Sequence, residues 1–197
     1  MIVSFDVMQA LFWSAAYILI IIFNIKYKYT AMPLFALIGN FAWESVALAR
    51  DIRFDMSGIG HLIHIAWFTL DFAIIFTYLL LCKKLYFKKI FSVLIYLVFL
   101  FAFIFSFNMW SSGMLISCFI IDFTMAVEYF IYSLKVSFPA NKLSISICSL
   151  KLCGDLCAWF YYMEYSRFVL LIGFFVLILN ILCLKTIIKR SHKLSVK

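Results

Sequence analysis

Apolar residues fall into long unbroken runs rather than alternating with polar ones, and short polar clusters separate the runs. Seven runs stand out, at about 7–25, 33–50, 61–82, 90–107, 113–134, 142–163 and 168–188. Each is near the ~20 residues a helix needs to cross a bilayer core. The runs are continuous, which argues against a β-barrel, whose strands alternate between lipid and lumen. The pattern predicts an all-α, polytopic membrane protein: a bundle of seven transmembrane helices forming one domain over 1–197. The breaks carry turn chemistry. Pro33 follows "KYKYTAM" and suits a first helical turn. "DIRFDMSGIG", "KKLYFKK", "NMWSSG" and "SFPAN" separate the later runs. The first run follows Asp6 rather than Lys or Arg and is too long for a signal-peptide core. It is expected to remain as helix one.

Composition agrees: 67% of the residues are hydrophobic and mean hydropathy is +1.10. With 6 Gly and 2 Pro there is little material for a linker or a second domain. The net charge of +8 would suggest nucleic acid in a soluble chain. Here the basic residues lie at the ends of the runs, where they set topology and meet anionic headgroups, so no nucleic-acid partner is expected. With the N-terminus outside, the inner loops and tail carry Lys26, Lys28, Lys83, Lys84, Lys88, Lys89, Lys135, Lys142, Lys185, Lys189, Arg190, Lys193 and Lys197. The outer loops carry Arg50, Arg53 and Arg167. This 13-to-3 split of the 17 Lys and Arg predicts an outside N-terminus and a cytoplasmic C-terminus.

Against this background the charges inside the runs require an explanation. Glu44, Asp71, Asp122, Glu128, Lys151 and Asp155 all fall within predicted spans. Each costs roughly 2.5–3.5 kcal/mol near the bilayer centre, and such residues usually face the bundle interior. At ~1.5 Å per residue, Glu44, Asp71, Asp122 and Asp155 lie roughly 16–20 Å from the inner face, in one layer. Asn40 and Glu44 are four apart on one helix face. His64, Trp67 and Asp71 share another. Lys151 and Asp155 are spaced to pair. Asp122 and Glu128 point about 120° apart, so Glu128 is free for a helix–helix contact. Five acids share one base, so some of these carboxyls are expected to stay protonated. A protonated carboxyl in an apolar pocket is a candidate general acid.

The remaining candidates read as structural. His64 suits a helix–helix hydrogen bond, His61 an interfacial site, and His192 lies in the basic tail. Cys82, Cys118, Cys148, Cys153, Cys157 and Cys183 lie within or at the edge of apolar runs and are expected to pack as small hydrophobes. Cys153-x3-Cys157 has no neighbouring His, and no metal or cofactor is expected. A subset of the 24 Phe, 11 Tyr and 5 Trp can line a cavity and stabilise a cation.

Two motifs carry a family resemblance. "AMPLFALIGNFAWES" followed by "WFTLDFAII" resembles the transmembrane terpene cyclases of meroterpenoid and indole-diterpene biosynthesis and their bacterial relatives. These are small seven-helix proteins in which a Pro opens helix two, an Asn-x-x-Trp-Glu motif follows, and Trp-Phe-x-x-Asp lies in helix three. The matching positions are Pro33, Asn40, Trp43 and Glu44, then Trp67, Phe68 and Asp71. "SLKLCGDL" is similar to a basic-x-x-Gly pattern of helix six, through Lys151 and Gly154.

The resemblance implies that an acid protonates an epoxide or alkene of a prenylated, lipophilic substrate, and that the cation then cyclises. It makes Glu44 and Asp71 the catalytic pair. Asn40, Trp43, His64, Trp67, Asp122, Lys151 and Asp155 bind substrate or support the site. A second acid late in the chain is expected, with Asp155 and Glu164 as candidates. The chain has neither Asp-Asp-x-x-Asp nor Asp-x-Asp-Asp, so diphosphate ionisation and the soluble protonating cyclases are not indicated. A prenyltransferase and an epoxidase would act upstream, and the expected location is the bacterial cytoplasmic (inner) membrane. The rival readings are a small transporter or substrate-binding uptake subunit, a retinal protein and a structural partner. The second would need a lysine midway along helix seven, where Lys185 is too far toward the end.

Overall fold

The computed structural model describes residues 2–81, 86–109, 112–135 and 139–195. They form seven α-helices and no strand: α1 Ile2–Tyr27, α2 Leu34–Arg53, α3 Ile59–Leu81, α4 Tyr86–Met109, α5 Gly113–Leu134, α6 Lys142–Tyr162 and α7 Arg167–Ser195. Cys82, Lys83, Lys84 and Lys197 lie outside the described residues. Five helices contain stretches long and apolar enough to cross a membrane: Val7–Tyr27, Ile59–Leu80, Gly113–Leu134, Lys142–Tyr162 and Arg167–Lys193. The described apolar stretch of α4, Val93–Asn108, is shorter. α2 carries Glu44, Arg50, Asp51 and Arg53. The chain is therefore an all-helical protein with the long apolar helices of a multi-pass membrane protein.

Helix ends depart from the hydropathy pattern for local reasons. Pro33 stands just before α2, as its N-cap, and not within the first turn. It offers no side-chain cap, so the first turn is satisfied from another helix: Glu128 Oε2 on α5 accepts from Ala36 N at 2.6 Å. This is the separate contact expected of Glu128. α2 also runs on to Arg53, so Arg50 to Arg53 are helical and not loop. α4 begins at Tyr86, which places Lys88 and Lys89 in its first turn. α7 continues through Lys193, because basic side chains end an apolar pattern without ending a helix. α6 starts with Asn141, whose Oδ1 accepts from Leu143 N and Ser144 N.

α1 packs between α3 and α6, α7 packs on α5 and α6, and α2 touches α3, α4 and α5. The turn from α1 to α2 is pinned by Asn24, which accepts from Ala31 N at 2.8 Å and donates to Thr77 on α3 at 3.1 Å. One core cluster joins Tyr17, Phe23, Leu37, Ile74, Met125 and Ile187. A second joins Trp43, Val46, Phe103 and Ile121. Gly154 on α6 matters to this packing: a Cβ there would stand 2.6 Å from the Trp13 ring of α1. Glycine lets that indole approach the α6 backbone closely.

Candidate functional site

The inward face of α2 presents Asn40 and Glu44 one turn apart, both buried. Asn40 Nδ2 donates to Tyr17 Oη on α1 and to Asp71 Oδ2 on α3, each at 2.6 Å. One amide nitrogen thus spends both protons tying three helices together. Asp71 is 0% exposed, and its Oδ1 has no partner among the described residues. Glu44 is 2% exposed, and its Oε2 likewise has none. Among the described residues no cation pairs with either acid.

A second polar cluster joins α5, α6 and α7. Lys151 Nζ lies 2.5 Å from Asp155 Oδ2 and 3.0 Å from Asp122 Oδ1. Asn180 Nδ2 donates to the same Asp155 oxygen at 2.5 Å. The ammonium also stands 4.8 Å from the centroid of the Trp13 ring, in cation–π range. The pairing expected of Lys151 and Asp155 is present, and Asn180 of α7 joins it.

Both clusters reach one internal cavity. Its walls include Gln9, Trp13 and Tyr17 of α1, Asn40, Trp43 and Glu44 of α2, Trp67 of α3, Cys118 and Asp122 of α5 and Tyr162 of α6. The cavity is about 50 Å³, room for a few water molecules. It adjoins a wider vestibule of about 450 Å³. Gln9, Trp43, Trp67, Cys118 and Tyr162 belong to both walls, and Arg50, His64 and Tyr165 line the vestibule toward the end of the bundle. The vestibule is within the roughly 300–1,000 Å³ range of small-molecule sites.

Of the residues singled out in the sequence, Asn40, Trp43, Glu44, Trp67 and Asp122 line the cavity. Asp71 stands behind Asn40, and Lys151 and Asp155 stand behind Asp122. Two tryptophans are oriented by hydroxyls: Trp43 Nε1 donates to Ser117 Oγ at 3.1 Å, and Trp67 Nε1 to Ser14 Oγ at 3.2 Å. His64, Trp67 and Asp71 share a face of α3 and divide between two helices: His64 and Asp71 meet Asp51 and Asn40 of α2, and Trp67 meets Ser14 of α1. Glu164 is exposed in the turn after α6 and does not line the cavity.

Several contributors were not singled out in the sequence, Gln9, Trp13, Tyr17 and Asp51 among them. Gln9, Trp13 and Tyr17 recur every fourth residue on α1, a stripe hidden in the sequence because the chain has 5 Trp and 11 Tyr spread over its spans. Asp51 looked like loop, yet it is 3% exposed and holds two imidazoles. His64 Nδ1 is 2.6 Å and His61 Nδ1 3.4 Å from its Oδ2. The available signal was that Asp51 continues the Asn40–Glu44 stripe seven residues on.

The described cysteines lie on α5, α6 and α7: Cys148 and Cys183 are buried with their sulfurs 3.8 Å apart, and Cys153 is exposed while Cys157, one turn on, is buried. Among the described residues no group of three or more His, Cys, Asp or Glu is arranged to hold a metal ion. No family model, curated protein or solved structure matches this chain.

Proposed function

We propose that this chain is a membrane terpene cyclase in which Glu44 protonates an epoxide or alkene of a prenylated lipophilic substrate. The observation that carries the reading is the Glu44 carboxyl itself: buried, with Oε2 unpartnered among the described residues, in a cavity walled by Trp13, Tyr17, Trp43 and Trp67. A buried polar atom without a partner is costly, and a ligand that completes it is one way such a group persists. The adjoining vestibule accommodates the body of an organic substrate, whose reactive terminus passes Trp43 and Trp67 into the cavity. Proton transfer from Glu44 to the epoxide oxygen breaks a C–O bond, and a neighbouring alkene attacks the developing cation. The indole faces stabilise positive charge along that path. Asp71 acts through Asn40 as a positioning residue, holding the α1–α2–α3 junction on which Glu44 stands.

In this reading the chain crosses the membrane seven times, with the N-terminus outside and the C-terminus cytoplasmic. The 13-to-3 distribution of basic residues supports that orientation. The polar side chains of α2 support its insertion, since Asn40, Glu44 and Asp51 are all buried inside the bundle. The vestibule then opens outward, and the bacterial cytoplasmic membrane supplies the substrate, after an upstream prenyltransferase and epoxidase.

The test is expression in a membrane supplied with epoxy-prenyl substrates, comparing wild type with Glu44→Gln. Loss of a general acid lowers turnover by about 10²-fold or more. Equal product from both sinks the assignment. Arg50, His64 and Gln9 around the vestibule also suit a polar solute, which favours an uptake subunit as the second reading. Saturable uptake of such a solute, with no cyclised product from any lipid substrate, would establish it instead.

A further inference from the structure

The vestibule contains a polar device that protonation by Glu44 does not use. Asp51, in the last turn of α2, is buried, and its Oδ2 is 2.6 Å from His64 Nδ1 on α3. His61 Nδ1 approaches the same oxygen at 3.4 Å. An ionised carboxylate only accepts, so the bond assigns the proton of a neutral His64 ring to Nδ1 and leaves the lone pair on Nε2. The ring packs T-shaped with Trp43, centroid to centroid 5.9 Å, and His64 lines the vestibule. A carboxylate that fixes an imidazole tautomer at the wall of a ligand-sized space is the arrangement of an oriented base.

Resting on the Glu44 reading, we infer that His64, positioned by Asp51, is the base that ends the reaction by taking the proton lost from the cyclised cation. Among the described residues no acid lines the vestibule, although Asp71 and Asp155 each keep one unpartnered oxygen. Asp122 and Asp155 are paired with Lys151, Asp71 Oδ2 is held by Asn40, and Arg50 has no lone pair to offer. The spacing fits the chemistry. In a polyene cyclisation the positive charge travels along the carbon chain, away from the protonated terminus. Acid and base must therefore stand apart, one deep and one nearer the mouth. Asp51 follows Glu44 by seven residues on the same face of α2, about 10 Å along the axis.

The step balances without a further reagent. Glu44 gives a proton to the epoxide oxygen, the C–O bond breaks, and alkene electron pairs become C–C bonds. The last cation loses a C–H proton to His64 Nε2, and that bonding pair becomes the product alkene. The proton returns from His64 to Glu44 through solvent, so the reaction is an isomerisation.

Two measurements on the full chain test this. First, His64 is carbethoxylated by diethyl pyrocarbonate in detergent micelles and followed by mass spectrometry, with farnesol as the probe ligand. Farnesol is expected to slow modification of His64, and no slowing overturns the placement of substrate against it. Second, wild type, His64→Asn, Asp51→Asn and Glu44→Gln are compared with an epoxy-prenyl substrate. His64→Asn is expected to lower kcat by about 10²-fold and to divert product toward water-captured alcohols or other alkene isomers. Asp51→Asn, which keeps the imidazole, is expected to lower kcat with KM unchanged, and it decides the matter should His64→Asn fail to fold. Wild-type rate and product pattern in a folded His64→Asn chain, or in Asp51→Asn, overturn this inference alone. Product formed by Glu44→Gln as fast as by wild type overturns the reading on which it rests.

Discussion

The Lys151 cluster holds a cation between two carboxylates, whereas the Asn40 cluster holds buried acids and, among the described residues, no cation. Both border the same cavity, and both draw on three helices or more. In the first, one ammonium meets Asp122, Asp155 and the face of Trp13, and Asn180 supplies Asp155 with a second donor. In the second, Asn40 reaches Tyr17 and Asp71, while Glu44 Oε2 and Asp71 Oδ1 are left unsatisfied. Both clusters are buried, so burial does not separate a structural cluster from a site. Completeness does: a satisfied network specifies packing, and an incomplete one has capacity left for a ligand. The distinction is one of degree, since Asp155 also keeps one unpartnered oxygen.

The largest expected effect falls on the complete side. Lys151→Met leaves Asp122 and Asp155 buried without their cation, and breaking a buried pair this way costs roughly 3–5 kcal/mol. Unfolding in mixed detergent micelles measures it. Glu44→Gln, which removes no bond among the described residues, should change stability by less than about 1 kcal/mol in the same assay. If the two variants lose equal stability, the comparison between the clusters collapses.

The same contrast explains what could be read from the sequence. The apolar runs announced all seven helices, and 113–134 coincides with α5 to the residue. Pairs within one helix were also legible: Lys151 and Asp155 are four apart and meet. Pairs between helices were not. Nothing in the spacing says that Asn40 turns to both Tyr17 and Asp71, or that Glu128 closes the first turn of α2. Asp51 was obscured differently. "ARDIRFD" reads as a polar loop because hydropathy averages Asp51 with Arg50 and Arg53, which share its sequence neighbourhood but not its face of the helix. Burial follows the face, and His61 and His64 on α3 supply the partners that make burial of Asp51 tolerable.

A smaller effect tests the hub on the incomplete side. Asn40→Leu fills the space but deprives the Tyr17 hydroxyl and the Asp71 carboxyl of their shared donor. Leaving a buried polar group unsatisfied costs roughly 1–3 kcal/mol. Unfolding should register that loss, and Asn40→Asp, which has no amide proton to give, should not restore it. If Asn40→Leu is as stable as wild type, the three-helix junction is not what holds α2 in place.

The smallest effect concerns the boundary between cavity and vestibule. Trp43 belongs to both walls, and its indole is fixed by donation to Ser117 Oγ, which itself donates to the Met114 carbonyl. Ser117→Ala removes that anchor without opening much space. A hydrogen bond between membrane helices is worth about 0.6 kcal/mol on average, so stability should barely move. The ring would still be packed against Phe107 and His64 but would lose the contact that sets its tilt. Under the proposed cyclase reading, product ratio is therefore the sensitive readout: a wall that steers a cation changes the outcome with its angle, whereas a wall that only fills space does not. A shifted ratio at nearly unchanged stability would place Trp43 on the reaction path. An unchanged ratio would make it packing, and would leave the unpaired Glu44 carboxyl to carry the contrast between the two clusters alone.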